Sequence, residues 1–233
     1  MDMLKETVAA STLVQRWQAL ALGALWCGFV IYAVLLSPPD NAADTLEMIR
    51  QLSTGQWATL NPVVVVLFNL MGLWPLIYAS LALSDGREQT VPAWPFVVGA
   101  FGLGVFALLP YLALRKSTFD LPHRSAESVL LRVVNHRLFG AGVVVATLLL
   151  LAYGFAQGQW GASWQTFLHQ FSTSRFIHVM SLDFCMLTLL TPRLLWDDMA
   201  RRGVASSWRL LSLVPLLGPA LYLALRPAGA DNQ

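Results

Sequence analysis

Charge is scarce in this chain of 233 residues. Asp, Glu, Lys and Arg together make up 12% of it, against about 25% in an ordinary soluble domain. Hydrophobic residues make up 56%. A soluble chain of this length needs far fewer to fill a core, so the excess must face something other than water, and lipid is the simple answer. Cysteine is almost missing. Cys27 and Cys185 each lie inside an apolar run, where free cysteine behaves as a small hydrophobe. No CxxC or Cys/His spacing suits a metal. The net charge of +2 is small and no basic run interleaves with aromatics, which excludes nucleic acid as a partner class. The chain has no phosphate-cradling glycine loop, no GxSxG elbow and no HExxH. It has no repeat at a period of roughly 20–50 residues either.

What is there is a series of long apolar stretches. Six read as membrane spans: 17–36, 60–83, 93–114, 138–158, 175–192 and 208–225. About 20 residues at about 1.5 Å each cover about 30 Å, one hydrocarbon thickness. The expected fold is all-α, a polytopic transmembrane helical bundle of about six spans forming a single domain over 1–233. Short amphipathic helices are expected at the membrane surface. One covers 2–16, with Met3, Ala10, Val14 and Trp17 on one face. Two others cover 44–54 and 160–171, the last with Trp160, Trp164, Phe167 and Phe171. Prolines punctuate the spans: Pro38 and Pro39 stop the first, Pro75 interrupts the second, Pro192 ends the fifth, and Pro215 and Pro219 make the sixth irregular. With six crossings, the face holding both termini carries five Lys and Arg residues and the other face ten. The positive-inside rule then puts the termini on the lumenal or periplasmic side.

The residue that stands out is Asp183, in the fifth span. Entering near Arg175, it lies about 12 Å deep, close to mid-bilayer. An acid there is costly, by roughly 2.5–3.5 kcal/mol on insertion scales, and marks a functional site by default. Its readings are a proton carrier, a ligand anchor, a counter-ion, or a structural carboxyl bonded to another helix. Asn69 lies at similar height in the second span and is the expected partner. Arg175 and His178 sit one turn apart at the entrance of the fifth span. They form a candidate ligand-binding set with Asn69 and Asp183, and His178 and Asp183 are the candidate acid–base pair. After that span, Asp197 and Arg201, and Asp198 and Arg202, have the i, i+4 spacing of surface ion pairs. The plain reading is a solvated helix end; the sharper one is a phosphate or headgroup site.

A haem held by two histidines is not expected, because His136 and His178 enter from opposite faces, roughly 25 Å apart in height. A single histidine remains free to ligate a chlorophyll magnesium, and no metal site is otherwise expected.

The run Arg175-Phe-Ile-His178-Val-Met-Ser-Leu-Asp183-Phe, with the charged residues after it, resembles the C-terminal region of the plant and algal membrane proteins required for neoxanthin formation. That family carries a His and an Asp five residues apart in a late span, as His178 and Asp183 are here. Pro192 departs from the pattern. The runs LFNLMGLWPLIYASL and AWPFVVGAFGLGVFALLPYLALR are similar to multispanning proteins of cyanobacteria and plastids. The resemblance implies a photosynthetic, thylakoid or plastid, membrane and a carotenoid or other isoprenoid ligand. Three functions follow as expectations. The first is a protein that binds an isoprenoid pigment or lipid, or assists assembly of a pigment-containing photosynthetic complex. The second is a membrane enzyme modifying a carotenoid or related isoprenoid. The third is a proton-coupled transporter using Asp183. Membrane lipids are partners in each.

Overall fold

The structure is a computed structural model that describes residues 2–39, 41–85, 89–116, 129–157 and 159–227. The expected amphipathic face at Met3 and Ala10 lies outside the described side chains, and so do the basic residues Arg87 and Arg124. The described residues are almost wholly helical. Helix α1 (Asp2–Ile31) runs on into a π-helical turn, Tyr32–Leu36, without the break expected near Arg16. It is followed by α2 (Ala42–Ser53), α3 (Pro62–Asp85), α4 (Trp94–Leu103), α5 (Val105–Leu114), α6 (Val129–Asn135), α7 (Arg137–Ala156), α8 (Trp160–Thr173) and α9 (Arg175–Arg201). A 3₁₀ helix, Ser206–Leu213, and α10 (Leu217–Leu225) complete the order. Among the described residues, four helical segments are long and apolar enough to cross a membrane: Leu13–Leu36, Pro62–Asp85, Arg137–Ala156 and Arg175–Arg201.

The other two expected spans do not cross. The stretch 93–114 breaks at Gly104, whose φ of 53° and ψ of −128° suit only a residue without a Cβ. The chain then turns back. Gln89 Nε2 donates to the Lys116 carbonyl at 2.6 Å, and the Lys116 N–H donates to Gln89 Oε1 at 2.8 Å. Deeper in, Phe96 and Tyr111 pack with ring centroids 5.8 Å apart. A crossing would hold Gln89 and Lys116 about 30 Å apart. Helices α4 and α5 are instead a re-entrant hairpin, each arm about 15 Å long, half the hydrocarbon thickness.

The last stretch, 208–225, does the same. Trp208 packs on Tyr222 at 6.4 Å. The Arg202 guanidinium, at the end of α9, donates to the carbonyl of Pro227, beyond the end of α10, at 3.0 Å. Leu216 takes a positive φ of 58° at the turn. Gly218 lies so close to the Leu211 carbonyl that no Cβ fits between them.

Proline has less effect in the long helices than the sequence suggests. Pro192 and Pro75 both sit inside continuous helices, and α9 runs past Pro192 to Arg201. A proline removes one backbone bond, but Leu190, Leu194 and Leu195 around Pro192 are all buried, so packing on both sides holds α9 in line.

Contacts at the helix ends set the relative directions. Tyr32, at the end of α1, bonds His178 at the start of α9, while Gln18 bonds Arg193 near the end of α9. Asn61, at the start of α3, donates to Ser163 of α8. The start of α1, the ends of α3 and α9, and the feet of both hairpins therefore share one face. Helices α2 and α8 lie at the other.

The core between them centres on Trp74, Ile77, Tyr78, Leu108, Leu187 and Leu194, all fully buried. Helix α10 presses on α7 at Gly140, where an added Cβ would strike the backbone of Leu223 and Ala224. Gly140→Ala should therefore destabilise the fold by about 1–3 kcal/mol. Gly142→Ala, on the same helix with nothing within 4 Å, should stay within about 0.5 kcal/mol. Unfolding of the two variants in detergent checks both.

Candidate functional site

Two polar centres stand out: one at the tip of the α4–α5 hairpin and one at the foot of both hairpins. The tip follows from helix chemistry. The first N–H groups of any helix lack intrahelical acceptors, and its N-terminus carries partial positive charge. Breaking the chain at Gly104 puts such an N-terminus inside the bilayer, where water cannot satisfy it. Asp183 of α9 supplies the acceptor: the Val105 N–H donates to its Oδ1 at 2.8 Å. A Cβ on Gly104 would fall on the Asp183 carboxyl, so the glycine provides both the turn and the room. Asp183 is buried, and its Oδ2 accepts no hydrogen bond among the described residues. Beside it, Phe101 and Leu103 of the tip are exposed.

The other residues named from sequence lie elsewhere. Asn69 Nδ2 donates to the Val65 carbonyl of its own helix at 2.8 Å and does not meet Asp183. His178 points about 140° around α9 from Asp183, toward α1 and α8. Its Nδ1 faces the Phe171 carbonyl at 2.8 Å and its Nε2 faces the Tyr32 hydroxyl at 2.8 Å. A carbonyl only accepts, so Nδ1 donates to Phe171, and Nε2 shares a hydrogen bond with the Tyr32 hydroxyl. Both ring nitrogens are thus engaged. Arg175 Nε donates to the Pro38 carbonyl at 3.1 Å. His178 and Arg175 tie the start of α9 to the end of α1. Among the described residues no group of three His, Cys, Asp or Glu side chains gathers as a metal site.

The second centre departs furthest from the sequence reading. Asp85, at the end of α3, takes Arg115 Nε and Nη2 in a bidentate pair, each at 2.9 Å. It also accepts from Arg201 Nη1 at 2.8 Å and from the Tyr111 hydroxyl at 2.9 Å. Arg115 reaches on to Asp197. Asp198 takes Arg202 at 2.9 Å, Arg226 at 3.1 Å and the Tyr222 hydroxyl at 2.7 Å. Arg226 also donates to Ser80 and Asn135. Of the two expected surface pairs, Asp198–Arg202 forms, while Asp197 and Arg201 each take other partners. The side chains of Arg115 and Asp85 are wholly buried, so this is not a solvated helix end. Burial opposes the charge on Arg115, but Asp85 and Asp197 outweigh it and hold its pKa above the ordinary range. At Arg226 burial prevails and the pKa falls below that range. Asp85, Arg115 and Arg226 are legible in sequence only as isolated charges at the ends of apolar runs. The signal that could have joined them is that all close helices at one face.

Comparison with known proteins adds no relative. No family model, curated protein or solved structure matches this chain. The two centres therefore have to be read from their own chemistry.

Asp85→Asn tests the second centre. It leaves Arg115 and Arg201 buried beside a neutral group, and breaking one side of a buried ion pair costs about 3–5 kcal/mol. Asp197→Asn removes a partly exposed partner of Arg115 alone, and should cost clearly less. Unfolding midpoints of the two variants against wild type decide the order.

Proposed function

We propose that this protein binds an isoprenoid pigment or lipid within a photosynthetic membrane, with Asp183 as the polar anchor. One observation carries the reading: Asp183 Oδ2 is left without a hydrogen-bond partner among the described residues, at mid-depth beside the exposed apolar tip. A long apolar molecule lying along Phe101 and Leu103 would bring a hydroxyl at its end to that oxygen. The resemblance of the 175–184 segment to the neoxanthin-formation proteins supports the isoprenoid class and the membrane. The enzyme reading loses support, because His178 spends both ring nitrogens on Tyr32 and Phe171 and faces away from Asp183. Proton-coupled transport is a second reading, favoured by two helix breaks that sit within the bilayer, where transporters place their binding sites.

The orientation belongs to the same proposal. With four crossings, ten Lys and Arg residues with described side chains lie toward the hairpin face: Arg16, Arg115, Lys116, Arg132, Arg137, Arg193, Arg201, Arg202, Arg209 and Arg226. Only Arg50 and Arg175 lie toward the other. The rule that read lumenal termini from six crossings now favours cytoplasmic or stromal termini. A cysteine at Ser206 should react from the cytoplasmic or stromal side and one at Gln165 from the opposite side. The reverse pattern would overturn this orientation.

The ligand reading is tested by purifying the full chain in mild detergent and extracting what stays bound, with a visible spectrum and mass spectrometry. A stoichiometric isoprenoid is expected. Asp183→Asn keeps an oxygen for the Val105 N–H but can turn an NH₂ toward the ligand. It should fold with an unchanged melting temperature and lose most of the bound molecule. Retention of the molecule by this variant, or a wild-type preparation holding no isoprenoid or lipid in stoichiometric amount, would contradict the proposal.

A further inference from the structure

A cluster of buried charge lies apart from Asp183, at the foot of the hairpins. Three carboxylates, Asp85, Asp197 and Asp198, face four guanidiniums, Arg115, Arg201, Arg202 and Arg226. The C-termini of α3, α5, α9 and α10 converge there, and their partial negative charge offsets part of the cationic excess. Charge alone does not satisfy a hydrogen-bond donor, however. Arg115 Nη1, Arg201 Nη2 and Arg226 Nε are buried without an acceptor among the described residues. Their side chains are only 0%, 5% and 2% exposed. The Asp198 carboxylate comes no closer than 3.9 Å to Arg201 Nη2, beyond hydrogen-bond reach.

Unpaired buried donors bear the full cost of desolvation, and these three belong to arginines linked through shared carboxylates. Arg115 and Arg201 share Asp85 Oδ1, and Arg201 and Arg226 both approach Asp198. At the edge of the cluster the side chains of Asp197 and Arg202 are partly exposed. A tetrahedral oxyanion presents acceptors in several directions at once, and guanidinium is the group best matched to it.

We propose that this cluster binds one phosphate-type oxyanion at the hairpin face, held by Arg115 Nη1, Arg201 Nη2 and Arg226 Nε. The oxyanion comes either from free phosphate or from the headgroup of an anionic lipid. The test uses the full chain. Inorganic phosphate is titrated calorimetrically into detergent-solubilised protein. Melting temperature is measured in nanodiscs of phosphatidylcholine with and without phosphatidylglycerol. Saturable binding of phosphate assigns the free anion. A rise in melting temperature with phosphatidylglycerol, without phosphate binding, assigns the headgroup.

Arg201→Lys and Arg226→Lys keep the charge and a carboxylate partner but remove the unpaired nitrogen. Each should weaken binding about tenfold. No binding of either probe by wild type overturns the proposal, and so does unchanged binding in both variants. If a lysine variant does not fold, hydrogen exchange of wild type with the bound probe decides. Protection centred on 111–116 and 197–203 supports the site, and protection confined elsewhere overturns it.

Discussion

Asp85 is the point on which the rest of the structure hangs. It ends α3, yet it accepts from Arg115 at the foot of one hairpin and from Arg201 at the end of α9. Asp198 repeats the device for the second hairpin through Arg226 and Tyr222. A hairpin that enters a bilayer and returns has no need to cross, so something must hold its feet together. Here buried ion pairs do so at one face. Such pairs are rarely a net source of stability, because desolvation opposes them. Their value lies in the alternative: a crossing would draw Arg115 away and strip the buried Asp85 of its bidentate partner.

The tip obeys the complementary constraint. Turning back inside the bilayer exposes backbone donors that lipid cannot satisfy. Gly104 makes the turn and Asp183 covers the donor it frees. The costly mid-membrane acid thus has a structural task with one oxygen, while its other oxygen stays open beside an apolar surface. A structural carboxyl and the proposed ligand anchor are compatible descriptions of Asp183, since the Val105 N–H takes only one of its oxygens.

Much of this was legible in sequence. Low charge and long apolar runs announce an all-α membrane protein, and the amphipathic helices α2 and α8 sit close to their expected ranges. The place of Asp183 inside a long apolar helix that starts at Arg175 is also readable from the sequence. What hydropathy does not carry is direction. The stretches 93–114 and 208–225 are long and apolar enough to read as spans, and nothing in their composition says that the chain reverses midway. The reversal depends on one glycine, on an aspartate 79 positions downstream of it, and on arginines paired with acids from distant helices. For the same reason depth alone pairs Asn69 with Asp183, although the Asn69 amide is spent on its own helix. Pro192 misled in the other direction, because tertiary packing overrode a local break signal.

The central claim is that α4 and α5 form a hairpin clamped at its foot and do not cross. A spin-label pair at Gln89→Cys and Lys116→Cys, with Cys27 and Cys185 replaced by alanine, measures this directly by dipolar spectroscopy in lipid nanodiscs. The account predicts a single short distance, below about 20 Å. A distance of about 30 Å or more, the thickness of the hydrocarbon core, would contradict it.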